Sequence, residues 1–162
     1  MDSEARSRNP NAMTVTVDDI LPQAKEALLK VAESEAARAE ENRRAAAAAD
    51  AEKKALLDHL RKPSGVSEEE GTKRAAAIID RAIRNGLTEV QVYRFPNELC
   101  TDRGRAINQS EPGWENTLTG VPKEMYQLWY NHLRPKGYKA RYQIIDFPSG
   151  MPGDVAITLS WH

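Results

Sequence analysis

One pattern occurs twice in this chain, and it restricts the fold more than any other feature. An apolar-periodic helix ends at a glycine, a strand follows, and the strand stops at Phe-Pro. The first copy runs from Ala75 through Asn85-Gly86 to Val90, Val92 and Phe95-Pro96. The second runs from Met125 through Lys136-Gly137 to Tyr142, Ile144 and Phe147-Pro148. Two helix–strand units in series imply a small layered domain whose strand ends share one edge.

The local signals around this pattern are specific. Ser67-Glu68-Glu69-Glu70 reads as a capping box, in which the Ser67 hydroxyl accepts from the Glu70 backbone N–H. Ala75, Ile78, Ile79, Ala82 and Ile83 follow at helical spacing, and Gly86 supplies the left-handed stop. Alternation in the next strand places Val90, Val92 and Arg94 on one face and Glu89, Gln91 and Tyr93 on the other. Residues 97–120 contain no convincing element, and a loop of that length is often functional or mobile. Val121-Pro122 opens a helix with Met125, Leu128, Trp129, His132 and Leu133 on its apolar face. The tail reads as a hairpin. Tyr138 to Asp146 and Val155 to Trp161 alternate on either side of a turn at 148–153.

The expected fold class is α+β: a long N-terminal helix, then two layers made of three strands and two helices. The first two strands are expected to be parallel, joined by a right-handed crossover. The third pairs antiparallel with the second, lying either outside it or between the first two. The helices should cover Val90, Val92, Ile144, Ile157 and Leu159. The opposite face would then show Tyr93, Phe95, Ile145 and Phe147 in part, to be covered by the long loop, the arm or a second subunit.

Upstream, the chain reads as a disordered start (1–17), a helical arm (18–62, with helical pattern from Val15 to Leu60) and the α+β domain (63–162). From Ala24 to Leu60 there is neither Gly nor Pro, and Ala, Glu, Lys and Arg dominate. Asp18 or Asp19 is the expected cap, with Pro22 in the first turn. Leu21, Ala24, Leu28 and Val31 form a first apolar seam, and Leu56, Leu57 and Leu60 a last one. Between them Glu35, Arg38 and Asn42 stand where a strict heptad wants apolar side chains, and Ala32, Ala36, Ala39 and Ala46 offer a thin face. The arm is either a solvated helix docked at its ends or a coiled coil. Interface candidates are Leu21, Leu28, Val31, Leu56 and Leu60, with Trp114 from the loop.

Lys and Arg total 23 against 24 Asp and Glu, a net charge of −1. So balanced a chain is a poor binder of nucleic acid or anionic membranes. Cys100 is the single cysteine, which rules out an intramolecular disulfide and fits a reducing cytoplasm. The amino terminus has no signal-peptide character, and no window suits a membrane span. Neither metal nor cofactor is expected: the three histidines lack ligand spacing, and no nucleotide-loop or hydrolase motif is present.

Three groups carry candidate chemistry. Arg94 and Asp146 each precede a Phe-Pro, and Asp154 begins the returning strand at the same edge, where ligands favour α/β sheets. They form either a polar site under the loop or an Arg–Asp pair that closes the sheet end. Arg103 and Arg105, flanking Gly104, could hold an anion; alternatively, Asp102–Arg pairs pin the loop. Cys100 beside them lacks a base and the Cys-to-Arg spacing of a phosphatase loop, and reads as a small buried apolar group. Trp114 is expected to pack the loop onto the sheet, Trp129 and Trp161 belong to regular apolar faces, and His132 reads as a core or edge histidine. The resulting expectation is a non-enzymatic interaction protein. Its arm would self-associate or bind a protein partner, and its head would supply recognition. The alternative is a small-molecule or anion-binding module built on Arg94, Arg103, Arg105, Asp146 and Asp154.

Overall fold

A computed structural model describes residues 16–162. Most of the expected disordered start lies outside the described residues; Val17 does not, and opens α1 (Val17–Ile20). The Asp19 carboxylate accepts from both the backbone N–H and the hydroxyl of Thr16, so Thr16 rather than an aspartate occupies the cap position. Over the described residues the arm is not one continuous helix. Leu21 is extended, the conformation a following proline favours, and α2 (Ala24–Arg61) begins beyond Pro22.

The chain divides into two compact units between Ala49 and Asp50, inside α2. In the first unit no described residue is buried. Helix propensity and pairs such as Glu40 with Arg43 and Arg44 sustain this segment without a packed face.

The second unit contains the last turns of α2, then α3 (Glu68–Arg84), β1 (Glu89–Phe95), the short α4 (Arg105–Asn108), α5 (Gly120–Leu128), β2 (Lys139–Ile144) and β3 (Val155–Ser160). As expected, Ser67 accepts from the Glu70 N–H at 3.1 Å, and Gly86 ends α3 at φ +74°. The α+β class holds.

The sheet order is β1-β3-β2, with β3 antiparallel to both neighbours. β1 and β2 therefore run parallel without touching, and of the two expected positions for the third strand the one between the first two is taken. Both strands end against the start of β3: Phe95 and Ile144 each face Val155. The order follows from composition. β3 carries no charge and is buried almost throughout, whereas β1 and β2 carry Glu, Arg, Lys and Gln suited to solvated edges.

A bulge at Val92 corrects the expected faces. Gln91 pairs with Thr158 and Tyr93 with Ile157, so one residue of β1 is extra. Tyr93 and Phe95 consequently join Val90 on the covered face, while Arg94 turns to the open face opposite Ala156. That open face is polar. Its central residues Ala156, Thr158 and Ser160 are small and are flanked by Gln91, Arg94, Arg141 and Gln143. The Arg141–Glu89 pair, 3.6 Å apart, spans β3. No apolar sheet face awaits a cover, although Phe147 remains exposed beyond the strand.

Residues 97–120 form part of the core rather than a structureless loop. Leu99, Cys100, Ile107 and Leu118 are buried with Phe95, Tyr142, Ile144 and Val155. Cys100 and Leu118 form an antiparallel bridge that ties the two ends of the segment together. Leu57 and Leu60 pack into the same cluster, so the last two turns of α2 belong to the head, short of the boundary expected at 62–63. Leu60 is therefore an internal core residue, not a partner-facing one. A second cluster joins Ile79 and Leu133 to Leu159. The second helix also departs from a regular pattern: α5 passes into a π-turn at Trp129–Leu133, which buries Leu133 and leaves His132 at the surface.

Leu60→Ala is expected to lower unfolding free energy by about 2–4 kcal/mol, whereas the exposed Leu28→Ala changes it by about 0.5 kcal/mol at most. Urea unfolding followed by tryptophan fluorescence, which reports the head alone, measures both.

Candidate functional site

At the shared strand edge the structure brings together Arg94, Asp146 and Asp154. Arg94 Nε donates to Asp154 Oδ2 at 2.7 Å, and Nη2 reaches Asp146 Oδ2 at 3.3 Å. The Asp154 backbone N–H donates to Asp146 Oδ1 at 2.5 Å. A Cβ at residue 153 would run into the Asp146 carboxylate, which accounts for Gly153. The three side chains are 37–50% exposed, so the guanidinium is paired at the surface rather than buried. The hydrogen bond to Asp154 raises the Arg94 pKa further. Two carboxylates against one guanidinium leave the cluster net negative, which is unsuited to an anion. Its evident work is to clasp the 146–154 turn to the end of β1.

The remaining sequence candidates separate. Arg105 pairs with Glu111 at 2.6 Å within its own segment. Asp102 does not pin the arginine side chains as expected. Its carboxylate accepts from the backbone N–H groups of Gly104 and Ala106, at 3.0 and 2.9 Å, and so starts α4. Arg103 has an exposed side chain and a positive φ of 57°. Its carbonyl accepts from Asn97 Nδ2, which also donates to Pro152 O at 2.7 Å. Buried Asn97 thus stitches the 97–120 segment to the hairpin turn. Sequence reasoning passed over it, although an asparagine directly after Phe-Pro is a common turn signal.

Cys100 is buried, and desolvation pushes its thiol up to about 11, with nearby Asp102 adding to the effect. Such a group is inert at neutral pH. Trp114 is half-buried and packs on Tyr142 and edge-on to Tyr126, with ring centroids 4.9 and 5.7 Å apart. It therefore fastens the segment to the head. His132 Nε2 meets Glu68 Oε2 at 2.5 Å, joining the π-turn to the start of α3.

A second concave feature lies elsewhere, between α3, α5 and the covered face of the sheet. It is a cleft of about 420 Å³. Ala75 and Ile78 form one wall, Met125 and Leu128 the other, and Tyr93, Ala140 and Leu159 contribute to the floor. Glu68, Arg74 and Glu124 stand among the polar groups of its lining. The only trace of it in the sequence is the spacing of Ser67, Gly71 and Ala75. These small residues recur every four positions from the cap of α3, and Gly71 lies against Leu128 of α5.

Comparison with protein-family models, curated proteins and solved structures finds no match. Among the described residues no helix is long and apolar enough to cross a membrane.

Cys100 is expected to resist a disulfide reagent at pH 8, where about one thiol in a thousand is ionised, and to react fully in urea. Rapid labelling of the native protein would contradict the burial. An unfolded thiol titrates near 9.0 and the native one near 11, so this contribution is whole below pH 9 and is lost as pH rises through 11. Arg94→Gln is expected to speed hydrogen exchange at the Gly153 and Asp154 amides while leaving the β3 amides protected.

Proposed function

We propose that this is a non-enzymatic interaction protein whose arm associates with a second helix, the same arm of another copy being the first candidate. One observation carries the reading. Val17, Ile20, Leu21, Leu28, Leu29 and Val31 are all more than half exposed, between 53% and 73%. Six large apolar side chains within fifteen positions are more than the scattered surface residues of an ordinary monomer. Ala24, Leu28 and Val31 recur at three and four positions on α2, the spacing of a helix-packing seam. Leu21 precedes α2, so it contributes beside the seam rather than within it. Farther along, Ala32, Ala36 and Ala39 would let a partner backbone approach closely. Leu56 is exposed and extends the available surface.

The alternative of an anion site on the arginine-rich segment has less support. Arg94 and Arg105 already face carboxylates. An incoming anion would displace those contacts and meet uncompensated negative charge.

Light scattering of the full chain is expected to report at least double its mass of 18.1 kDa at about 100 µM. Leu28→Glu with Val31→Glu is expected to return it to a single chain without altering head stability. A wild-type monomer across that range, unchanged by the double substitution, would overturn self-association.

A further inference from the structure

We infer that the cleft between α3, α5 and the sheet is a binding site for a small, mainly apolar molecule with an uncharged or cationic polar end. This site is separate from the arm and from the Arg94 cluster.

The first reason is how the core is built. A two-layer domain of this size normally closes one continuous core. Here the buried side chains fall into two clusters, one around Phe95, Tyr142 and Ile157 and the other around Ile79, Leu133 and Leu159, joined only through the half-buried Val92 and Ala140. The cleft touches members of both, including Tyr142 and Ile157 of the first and Leu133 and Leu159 of the second. Ile157 and Leu159 of the central strand lie at its floor, and its mouth opens to solvent beside Glu68, Arg74 and Glu124.

The second reason is that the space is kept open by side-chain choice. Ala75 on α3 and Ala140 on β2 face it, where a larger apolar residue would fill it. Its walls are anchored independently. α5 is fixed at its start by Gly120, where a Cβ would run into the Leu60 carbonyl, and by buried Pro122. α3 is fixed through Ile79 and Ala82. Neither helix can slide inward without breaking those contacts.

The third reason is the match to ligand chemistry. About 420 Å³ lies within the range of roughly 300–1,000 Å³ typical of small-molecule sites, with apolar walls and few polar groups. Glu124 is held in place by the Ser64 backbone N–H and hydroxyl, at 3.1 and 2.6 Å. Glu68 is held by His132 and Asn131. Arg74, the single cation in the lining, already lies 3.5 Å from Glu70. An ammonium or hydroxyl would find oriented acceptors there, and a carboxylate would not.

Three probes with one body separate these terms: 1-naphthylmethylamine, 1-naphthalenemethanol and 1-naphthylacetate, titrated into the full-length chain and followed by amide chemical shifts. The amine and the alcohol are expected to give saturable shifts at Gly71, Ala75, Leu128 and Ala140, with Kd below about 1 mM. The acetate should bind at least tenfold more weakly than the amine. Ala75→Leu is expected to weaken binding at least tenfold with an unchanged or higher Tm, because it fills the space. Ala140→Leu makes the same test from the sheet side if the helix variant does not fold. The inference is overturned if no probe saturates, if the acetate binds best, or if a folded, filled variant keeps wild-type affinity.

Discussion

The head depends on the pairing of β3 with both of its neighbours. Val155, Ile157 and Leu159 hold the covered face of that strand, and each is 3% exposed or less. Val155 and Ile157 belong to one core cluster and Leu159 to the other, so the strand takes part in both. An uncharged strand gains most from the middle position because both of its backbone edges are then hydrogen-bonded and its apolar side chains reach the dry side of the sheet. The charged strands β1 and β2 lose little at the rim, where their Glu, Arg and Lys side chains remain in water.

The bulge at Val92 follows from fitting β1 to that central strand. Without an extra residue, Tyr93 and Phe95 would face water and Arg94 would be directed into the core. With it, Phe95 is fully buried and Arg94 meets Asp146 and Asp154 at the surface. The residue that looked most like chemistry therefore serves as a clasp. A guanidinium that remains half solvated pairs with carboxylates at little desolvation cost, and such pairs stabilise modestly. The cleft arises from a different constraint. α3 and α5 are each held by their own contacts, and between them the small side chains of Ala75 and Ala140 do not fill the gap.

Residues 97–120 show why local reading falls short for irregular segments. Leu99, Cys100, Ile107 and Leu118 are apolar but share neither helical nor strand period, so no pattern marks them as core. Their order comes from Asn97, from the Asp102 turn and from the Cys100–Leu118 bridge, which combine short-range polar contacts with distant apolar ones. Two tryptophans, Trp114 and Trp129, complete the packing. Trp129 donates to the Tyr138 carbonyl at 2.9 Å, so even its polar atom is satisfied.

Sequence alone determined the longer regular elements and most of their punctuation. The Ser67 cap, the Gly86 and Gly137 stops, the strand that ends at Phe95-Pro96 and the unbroken helix from Ala24 all rest on energies within a few residues, and all are present; β2 ends at Ile144, short of Phe147-Pro148. It also brought Arg94, Asp146 and Asp154 to one edge, because strand direction followed from the repeated order. Tertiary structure alone decided that β3 sits in the middle, that a bulge turns Arg94 outward, that Leu60 belongs to the head and that a cleft lies against both clusters. Each of these is settled by contacts between segments far apart in the chain, where the packing of one face selects among arrangements that local propensity leaves equal.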